Sequence, residues 1–363
     1  MTDGCCSRRR RTYDGMPFAV SRARHSLLHR CGIVPMKKIF LWVSMAVIIW
    51  TAAIADAQER GQSPARVGWL WYGSAPTGAL PSLETAIVDG LRELGYVEGK
   101  TLVFEHRFAD GHPERFQHIA ADLVRQKIDV MIGLGGDIAA ALKKATSKIP
   151  IVVGTSDDPV RASLISSLAR PGGNITGVTF VMDELAGKRV QLLKEISPQL
   201  SRVGVLWNPA HADSEFKEIE DVTTAYNIKV QSFKVERMNE FDSAFSAINK
   251  ETLDLLIVVP SRLTSLRMPQ IAAVALKLSM PMASGWREFA EAGALLSYGP
   301  NRVQIARRIA YYVDKIIRGA AKPADLPVEI PIKFELVINL KSAKALKLTI
   351  PQSVLYRADK VIK

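Results

Sequence analysis

The sequence predicts an α/β protein of two similar, doubly wound, Rossmann-like lobes, and three observations support that fold class. Short β-branched runs alternate with stretches whose apolar residues recur at helical spacing, a pattern typical of parallel strands joined by helices. The segment "RVGWLWYG" at Arg66 returns as "RVGVLWNP" at Arg202, so the repeat has the length of a domain. A chain of 363 residues with 48% hydrophobic and 23% charged residues suits two soluble domains.

Residues 1–57 differ from the rest of the chain and predict an export signal. Lys37 and Lys38 precede an uncharged apolar run, which ends in the small-residue cleavage site Ala55-Asp56-Ala57. We therefore expect a signal peptide at residues 36–57 that is cleaved on export to the periplasm. The alternative is an uncleaved membrane anchor, because the apolar run is just long enough to span a bilayer.

Cleavage before Gln58 would leave a chain with no cysteine and a modest charge. Residues 1–35 are interpreted as an upstream extension from a misassigned start, and the leader holds all three cysteines. Its removal takes away nine basic and three acidic residues, so the net charge falls from +12 to +6. The remaining basic residues are scattered among acids, which argues against nucleic-acid binding. The lack of cysteine excludes a disulfide framework or a thiolate site.

The first lobe is predicted over residues 58–180, as strands that alternate with helices. β-branched and aromatic residues dominate the strands, which are predicted at 66–73, 102–108, 129–135 and 149–156. Apolar residues three and four apart predict the helices between them, at 83–94, 113–125 and 137–146.

The segment "ARPGGNITG" raises the question of whether its paired glycines bind a phosphate. A phosphate cradle needs glycines directly between a strand and a helix N-terminus, with a lysine or a ribose-binding acid in register. Residues 170–174 lead into a strand instead, so they are interpreted as a turn near a crossing between the lobes. No cofactor is predicted.

The second lobe is predicted over residues 181–300 and repeats the order of the first. Its strands are predicted at 202–209, 228–236, 253–261 and 280–286, and "AGALLSYG" leads into one more. Residues 301–363 are predicted to hold a return helix that stops at Gly319, a hinge crossing and a tail that is extended and then briefly helical.

Ligands of doubly wound sheets bind outside the carboxyl ends of the strands, so a cleft between two such lobes is the expected site. The residues predicted at those ends combine aromatic rings, hydroxyls, backbone amides and a few charges, which suits a zwitterionic or carboxylate-bearing small molecule. The candidate ligand-binding residues are Tyr72, Ser74, Gly136, Asp137, Thr155, Ser156, Asp157 and Asp158 in the first lobe, and Trp207, Asn208, Ser261 and Trp286 in the second.

Structural roles compete with binding at several of these positions. Asp157 or Asp158 would serve equally as the cap of a helix that starts after Pro159, and Trp207 would equally pack in the core. The sequence carries no nucleophile elbow, phosphate-loop lysine or histidine pair at zinc-ligand spacing. We therefore expect neither catalytic residues nor a metal site.

Five segments together resemble one family, the periplasmic substrate-binding proteins of ABC transporters. They are "LRELGYVEGKTLVFEHRFADG", "ASLISSLARPGGNITGVTF", "LLKEISPQLSRVGVLWNP", "LLSYGPN" and "KPADLPVEIPIKFELVINLKSAKALKLTIPQSVLYRADKVI". The resemblance runs from about Arg66 to the C-terminus and is strongest to members that look like tryptophan and aromatic amino-acid binders. It implies a periplasmic binding protein type I fold, with two lobes that close about three hinge crossings.

The resemblance also implies a function and two binding motifs. It places the family's Asp-Pro motif at Asp158-Pro159 and its Tyr-Gly motif at Tyr298-Gly299, whereas Gly136-Asp137 departs from the Ser/Thr-Pro often found at that strand end. The expected function is to bind a small amino-acid-like or aromatic carboxylate ligand, as a monomer, for an ABC permease in the inner membrane. The alternative is a periplasmic sensing module that docks on a signalling receptor.

Overall fold

The structure, a computed structural model, describes residues 63–76, 82–180, 185–211 and 214–363. The predicted signal peptide lies outside these ranges. Within them, no helix is both long enough and apolar enough to cross a bilayer. Their strands form two sheets, which we call sheet 1 and sheet 2.

Sheet 1 is fully parallel, in the order β2-β1-β3-β4-β5. Its strands are β1 (Ala65–Trp71), β2 (Leu102–Phe108), β3 (Val130–Leu134), β4 (Ile151–Thr155) and β5 (Ile175–Thr179). Strands β3 to β5 are buried over nearly their whole length, because helices cover both faces of the sheet. The order reverses between β1 and β3, which makes their carboxyl ends the switch point of this sheet.

Three helices connect these strands: α1 (Ser82–Glu93), α2 (Phe116–Val124) and α3 (Gly136–Ala145). The apolar side of α1, including Ile87, packs in one core with Trp69. The apolar sides of α2 and α3 pack in another core with Met131, on the opposite face of the sheet.

Sheet 2 repeats this arrangement and extends it, in the order β12-β11-β10-β9-β8-β6-β7. Its strands are β6 (Arg202–Trp207), β7 (Lys229–Lys234), β8 (Leu255–Val258), β9 (Met282–Ser284), β10 (Leu296–Pro300), β11 (Phe334–Asn339) and β12 (Lys360–Ile362). All neighbours are parallel except β10 and β11. The switch point of this sheet lies between β6 and β8.

The helices of this half continue in chain order. They are α4 (Ala186–Ile196), α5 (Glu215–Ala225), α6 (Phe241–Lys250), α7 (Arg262–Leu266), α8 (Met268–Lys277), α9 (Arg287–Ala292), α10 (Arg302–Ile317), α11 (Leu340–Ala345) and α12 (Gln352–Leu355). Helix α10 follows a strand of sheet 2 but packs on sheet 1 and along α1. At Gly90 an added Cβ would lie 3.0 Å from the Cβ of Ala310, so glycine permits this close helix packing.

Among the described residues, the chain leaves one sheet for the other after Phe180, between Pro300 and Arg302, and after Glu329. Glu329 is still tied to sheet 1, because its N–H donates to the carbonyl of Gly177 at 3.0 Å. The crossings after Pro300 and Glu329 emerge side by side, and that places β11 antiparallel to β10.

The predicted fold class is confirmed: two mainly parallel sheets lie between alternating helices. The predicted return helix at 302–318 matches α10, and Gly319 follows it with a positive φ of 65°. The helix expected after Pro159 is wrong. That segment makes a single turn, closed by a bond from the N–H of Ala162 to the carbonyl of Asp158 at 2.9 Å.

Candidate functional site

One side chain joins the switch points of the two sheets. Arg262 is the first residue of α7, directly after β8, and its guanidinium reaches the loop that follows β3. Nη1 donates to Oδ2 of Asp137 at 2.8 Å, and Nη2 donates to Oδ1 at 2.5 Å. Nη2 also donates to the carbonyl of Leu134 at 3.0 Å. The carboxyl ends of the two sheets therefore face each other and are bridged by Arg262.

Residues of sheet 1 hold this guanidinium in place. It lies 5.0 Å from the ring centroid of Tyr72, which directly follows β1. Gly135 has a φ of 112°, and an added Cβ would lie 1.8 Å from Nη2 of Arg262, so a side chain at 135 would exclude the guanidinium. Burial raises the pKa of the Tyr72 hydroxyl, although the charge of Arg262 opposes that shift.

The ion pair sits near the solvent. The side chain of Arg262 is 29% exposed and that of Asp137 is 48% exposed. Burial raises the pKa of Asp137, but the hydrogen bonds and the positive charge of Arg262 outweigh burial and hold the pKa below its ordinary value. The pair is therefore ionised at neutral pH and open to exchange with other charged groups.

Asp157 lies deeper, over the N-terminus of α3. An added Cβ at Gly136 would lie 1.7 Å from Oδ2 of Asp157, so only glycine leaves room for this carboxylate. The N–H of Asp157 donates to Oγ1 of Thr155 at 3.1 Å, and Oγ1 of Thr179 donates to its carbonyl at 3.0 Å. Asp157 and both threonines are buried, so this loop is rigidly placed. Ser156 is half-buried beside them.

Asp158 points away from this cluster and is exposed. Its Oδ1 accepts from the N–H groups of Val160 and Arg161, at 2.8 and 3.1 Å. This is a cap on the turn after Pro159, the competing role considered from the sequence. A part for Asp158 in ligand binding stays a prediction.

An aromatic contact joins the lobes near the first two crossings. Phe180, directly after β5, meets the ring of Trp286, two residues after the end of β9, at 5.7 Å and an angle of 81°. The guanidinium of Arg302 lies 5.0 Å from the Trp286 ring centroid and 3.7 Å from the carboxylate of Glu288. Trp286 is thereby held between two elements that pack on sheet 1.

The remaining sequence candidates lie at strand ends but make local contacts. Trp207 stacks on Phe216 at 4.0 Å and donates to Ser232 at 2.8 Å, within the second lobe. Oδ1 of Asn208 accepts from the N–H of Ala210, and the hydroxyl of Ser261 caps α7 by accepting from Thr264 at 3.2 Å.

Ser74 follows β1, and Tyr298 is the middle residue of β10. Ser74 is exposed, and hydrogen bonds from Arg115 and then from Ser74 hold the pKa of Asp110 below its ordinary value. The carbonyl of Tyr298 accepts from the buried Arg189 at 3.0 Å. The structure thus groups Tyr72 and Asp137 around Arg262 and places Gly136 against Asp157, while Ser74 and Tyr298 make their contacts elsewhere.

The candidate list drawn from the sequence omits Arg262 and Phe180. Arg262 follows the candidate Ser261, and its position at the end of a predicted strand was a usable signal. Nothing in the sequence states that its side chain crosses to the other lobe. Among the described residues, no group of three or more His, Cys, Asp or Glu side chains is placed to hold a metal ion.

Two sequence comparisons agree with this architecture. The sequence model of the family described as "ABC transporter substrate binding protein" matches residues 78–362. A protein of Clostridioides difficile strain R20291, described as "Tyrosine-binding protein", is 26% identical over 271 residues, which are 73% of this chain and 77% of that protein.

Solved structures of similar chains share the fold over most of their length. A conserved domain protein of Vibrio cholerae has a TM-score of 0.74 and 30% identity, covering 82% of this chain and 100% of the other. The ABC domain of Streptococcus pneumonia in complex with L-Trp has a TM-score of 0.72 and 26% identity, covering 83% of this chain and 100% of the other.

Proposed function

The chain belongs to the ABC transporter substrate-binding protein family, and on that premise we propose that it binds an aromatic amino acid in the cleft between its sheets for an importer. The observation that carries the proposal is the meeting of two switch points at Arg262 and Asp137, beside the ring of Tyr72. Two similar proteins support this ligand class: the Clostridioides difficile protein described as "Tyrosine-binding protein" and the Streptococcus structure in complex with L-Trp.

The chemistry of the cleft suits such a ligand. Tyr72, Phe180 and Trp286 offer aromatic surface, and Asp137 and Arg262 offer opposite charges for an ammonium and a carboxylate. The other proposed contacts are backbone amides and polar side chains from both lobes, at Ser74, Gly136, Thr155, Ser156, Asp157, Asp158, Trp207, Asn208, Ser261 and Tyr298. Binding proceeds without chemical change of the ligand.

Closure of the lobes follows from contacts on both sides. A ligand that touches both strand-end clusters binds tightly only when they are close, so it favours the closed arrangement. The crossing after Glu329 is suited to bending, since Ile332 is 90% exposed there and lacks the packing that holds a core residue.

Export and delivery complete the proposal. The signal peptide at residues 36–57 directs the chain to the periplasm, where the monomeric protein meets an ABC permease of the inner membrane. N-terminal sequencing tests the first step, with Gln58 as the expected start. Retention of Met36 in a membrane fraction would contradict it.

Two measurements test ligand and role. Mass spectrometry of small molecules released by denaturing the purified protein should find an aromatic amino acid, whereas a stoichiometric sugar or nucleotide would refute the ligand class. Uptake of labelled tryptophan and tyrosine should fall when the gene is deleted from its host. Unchanged uptake, with a lost transcriptional response to the same ligand, would favour the sensing role.

A further inference from the structure

We propose that Arg262 binds the carboxylate of the ligand and that Asp137 binds its ammonium group. On binding, these two contacts replace the ion pair between Arg262 and Asp137. This inference rests on the proposed function, because it assumes an amino-acid ligand. It adds Arg262 to the site and assigns a specificity to each residue.

The geometry of Arg262 is that of a carboxylate receptor. Its two terminal nitrogens bind the two oxygens of Asp137 in parallel, at 2.8 and 2.5 Å. A planar guanidinium fork recognises carboxylates in this way, and lysine cannot reproduce it. The carboxylate of an amino acid presents the same pair of oxygens, so it can replace that of Asp137.

Because the ion pair is partly exposed, separating its two side chains costs little free energy. Both side chains are partly exposed, at 29% and 48%, and ion pairs with such exposure contribute little to stability. A ligand that satisfies both charges at once therefore loses little by separating them. The pair has no net charge, which matches a zwitterion and not a simple anion or cation.

Neighbouring residues of sheet 1 hold the guanidinium of Arg262 between the two switch points. Glycine at 135 leaves room for Nη2, the Tyr72 ring lies beneath the guanidinium, and the carbonyl of Leu134 accepts a third hydrogen bond. These contacts do not involve Asp137. They can therefore hold the guanidinium in place when its partner changes.

Asp157 is the competing partner for the ammonium. Its carboxylate is buried over Gly136 and packed closely enough that no Cβ fits there, whereas almost half of the Asp137 side chain faces solvent. This difference in exposure assigns the ammonium to Asp137.

Calorimetric titrations with three related compounds test the assignment. The probes are L-tryptophan, indole-3-propionate, which lacks the ammonium, and tryptamine, which lacks the carboxylate. Arg262→Gln should weaken L-tryptophan and indole-3-propionate about ten- to a hundredfold and leave tryptamine nearly unchanged. Asp137→Asn should weaken L-tryptophan and tryptamine and spare indole-3-propionate.

Two further variants sharpen the result. Arg262→Lys keeps the charge but loses the fork, so most of the loss for L-tryptophan should persist. Arg202→Gln is the matched control, because Arg202 pairs with Glu251 at the opposite end of sheet 2, with 43% of its side chain exposed. Its affinity for all three probes should equal that of the wild type.

The outcomes separate the two claims. If the wild type binds neither L-tryptophan nor L-tyrosine, the proposed function fails. If it binds them but Arg262→Gln and Asp137→Asn weaken all three probes equally, the pair only fastens the lobes together and the charge assignment is overturned. Unchanged affinity for L-tryptophan in both variants overturns it as well.

Discussion

Phe180 and Trp286 meet edge to face across the two lobes, with ring centroids 5.7 Å apart and planes inclined by 81°. Both are buried; Phe180 directly follows β5, and Trp286 lies two residues after the end of β9. The contact couples the two sheets at the start of the first crossing. It is the aromatic counterpart of the ion pair between Arg262 and Asp137.

This contact should contribute measurable coupling between the lobes. A double-mutant cycle with Phe180→Leu and Trp286→Leu should give an interaction energy of about 0.5 to 1.5 kcal/mol, the range for aromatic pairs beyond their burial. Urea unfolding of the four proteins supplies the free energies. Additive losses would mean that each ring packs independently.

Gly177 should tolerate no side chain. Its φ is 143°, and an added Cβ would lie 2.0 Å from the carbonyl oxygen of Val153 in the neighbouring strand. Gly177→Ala should therefore lower the free energy of unfolding by more than about 3 kcal/mol. Gly173→Ala is the control, because a Cβ there meets nothing within 4 Å, and it should change stability by less than about 0.5 kcal/mol. Equal losses of stability in Gly177→Ala and Gly173→Ala would contradict the close pairing of β5 with β4 at Gly177.

Removing one partner of the buried ion pair between Arg189 and Glu215 should destabilise the fold more than replacing both. Both side chains are almost fully buried, and Arg189 also donates to the carbonyl of Tyr298. Glu215→Gln leaves a buried guanidinium without its counter-charge and should cost about 3 to 5 kcal/mol in chemical unfolding. The double variant Arg189→Met, Glu215→Leu should lose less than this single variant. A larger loss in the double variant would show that the charges themselves stabilise the lobe.

Acid should destabilise the fold through His106. Burial lowers the pKa of this ring, whose Nδ1 accepts from Nε1 of Trp71 at 2.9 Å. Because the folded pKa lies below the ordinary value of 6.5, the unfolded chain takes up the proton first. Stability should therefore fall as the pH drops below about 6.5 and continue to fall until the folded pKa is reached.

Two variants isolate that histidine. His106→Asn keeps an acceptor without titrating, so its unfolding free energy should depend less on pH between about 6.5 and 5. His118→Asn replaces a histidine whose side chain is 79% exposed, and it should keep the slope of the wild type. Identical slopes for the wild type and His106→Asn would refute the assignment.

The fold was predictable because each element carries a local signal. The run from Arg66 predicted a strand at 66–73, which the structure forms at Ala65–Trp71, and the helical spacing from Arg302 predicted α10 nearly to its end. The order of strands carries no such signal. That β11 runs antiparallel beside β10 depends on where the chain leaves sheet 1 at Glu329, which is a long-range contact.

For the candidate site, the sequence indicated which residues lie at strand ends but not which partners they contact. Strand ends identified Tyr72 and Asp137, which the structure brings together around one guanidinium. The same rule also selected Trp207, whose ring stacks on Phe216, because position alone does not state which way a side chain faces. Arg262 was missed since its contact spans 125 positions of sequence.

Hydrogen exchange with and without saturating L-tryptophan tests most directly the claim that the ligand binds between the two switch points. Protection should appear together at residues 134–137 of one lobe and 261–264 of the other, because the bound ligand contacts both strand ends. Binding without protection at either segment would contradict it. So would protection confined to the groove that Arg202 and Lys229 line on sheet 2.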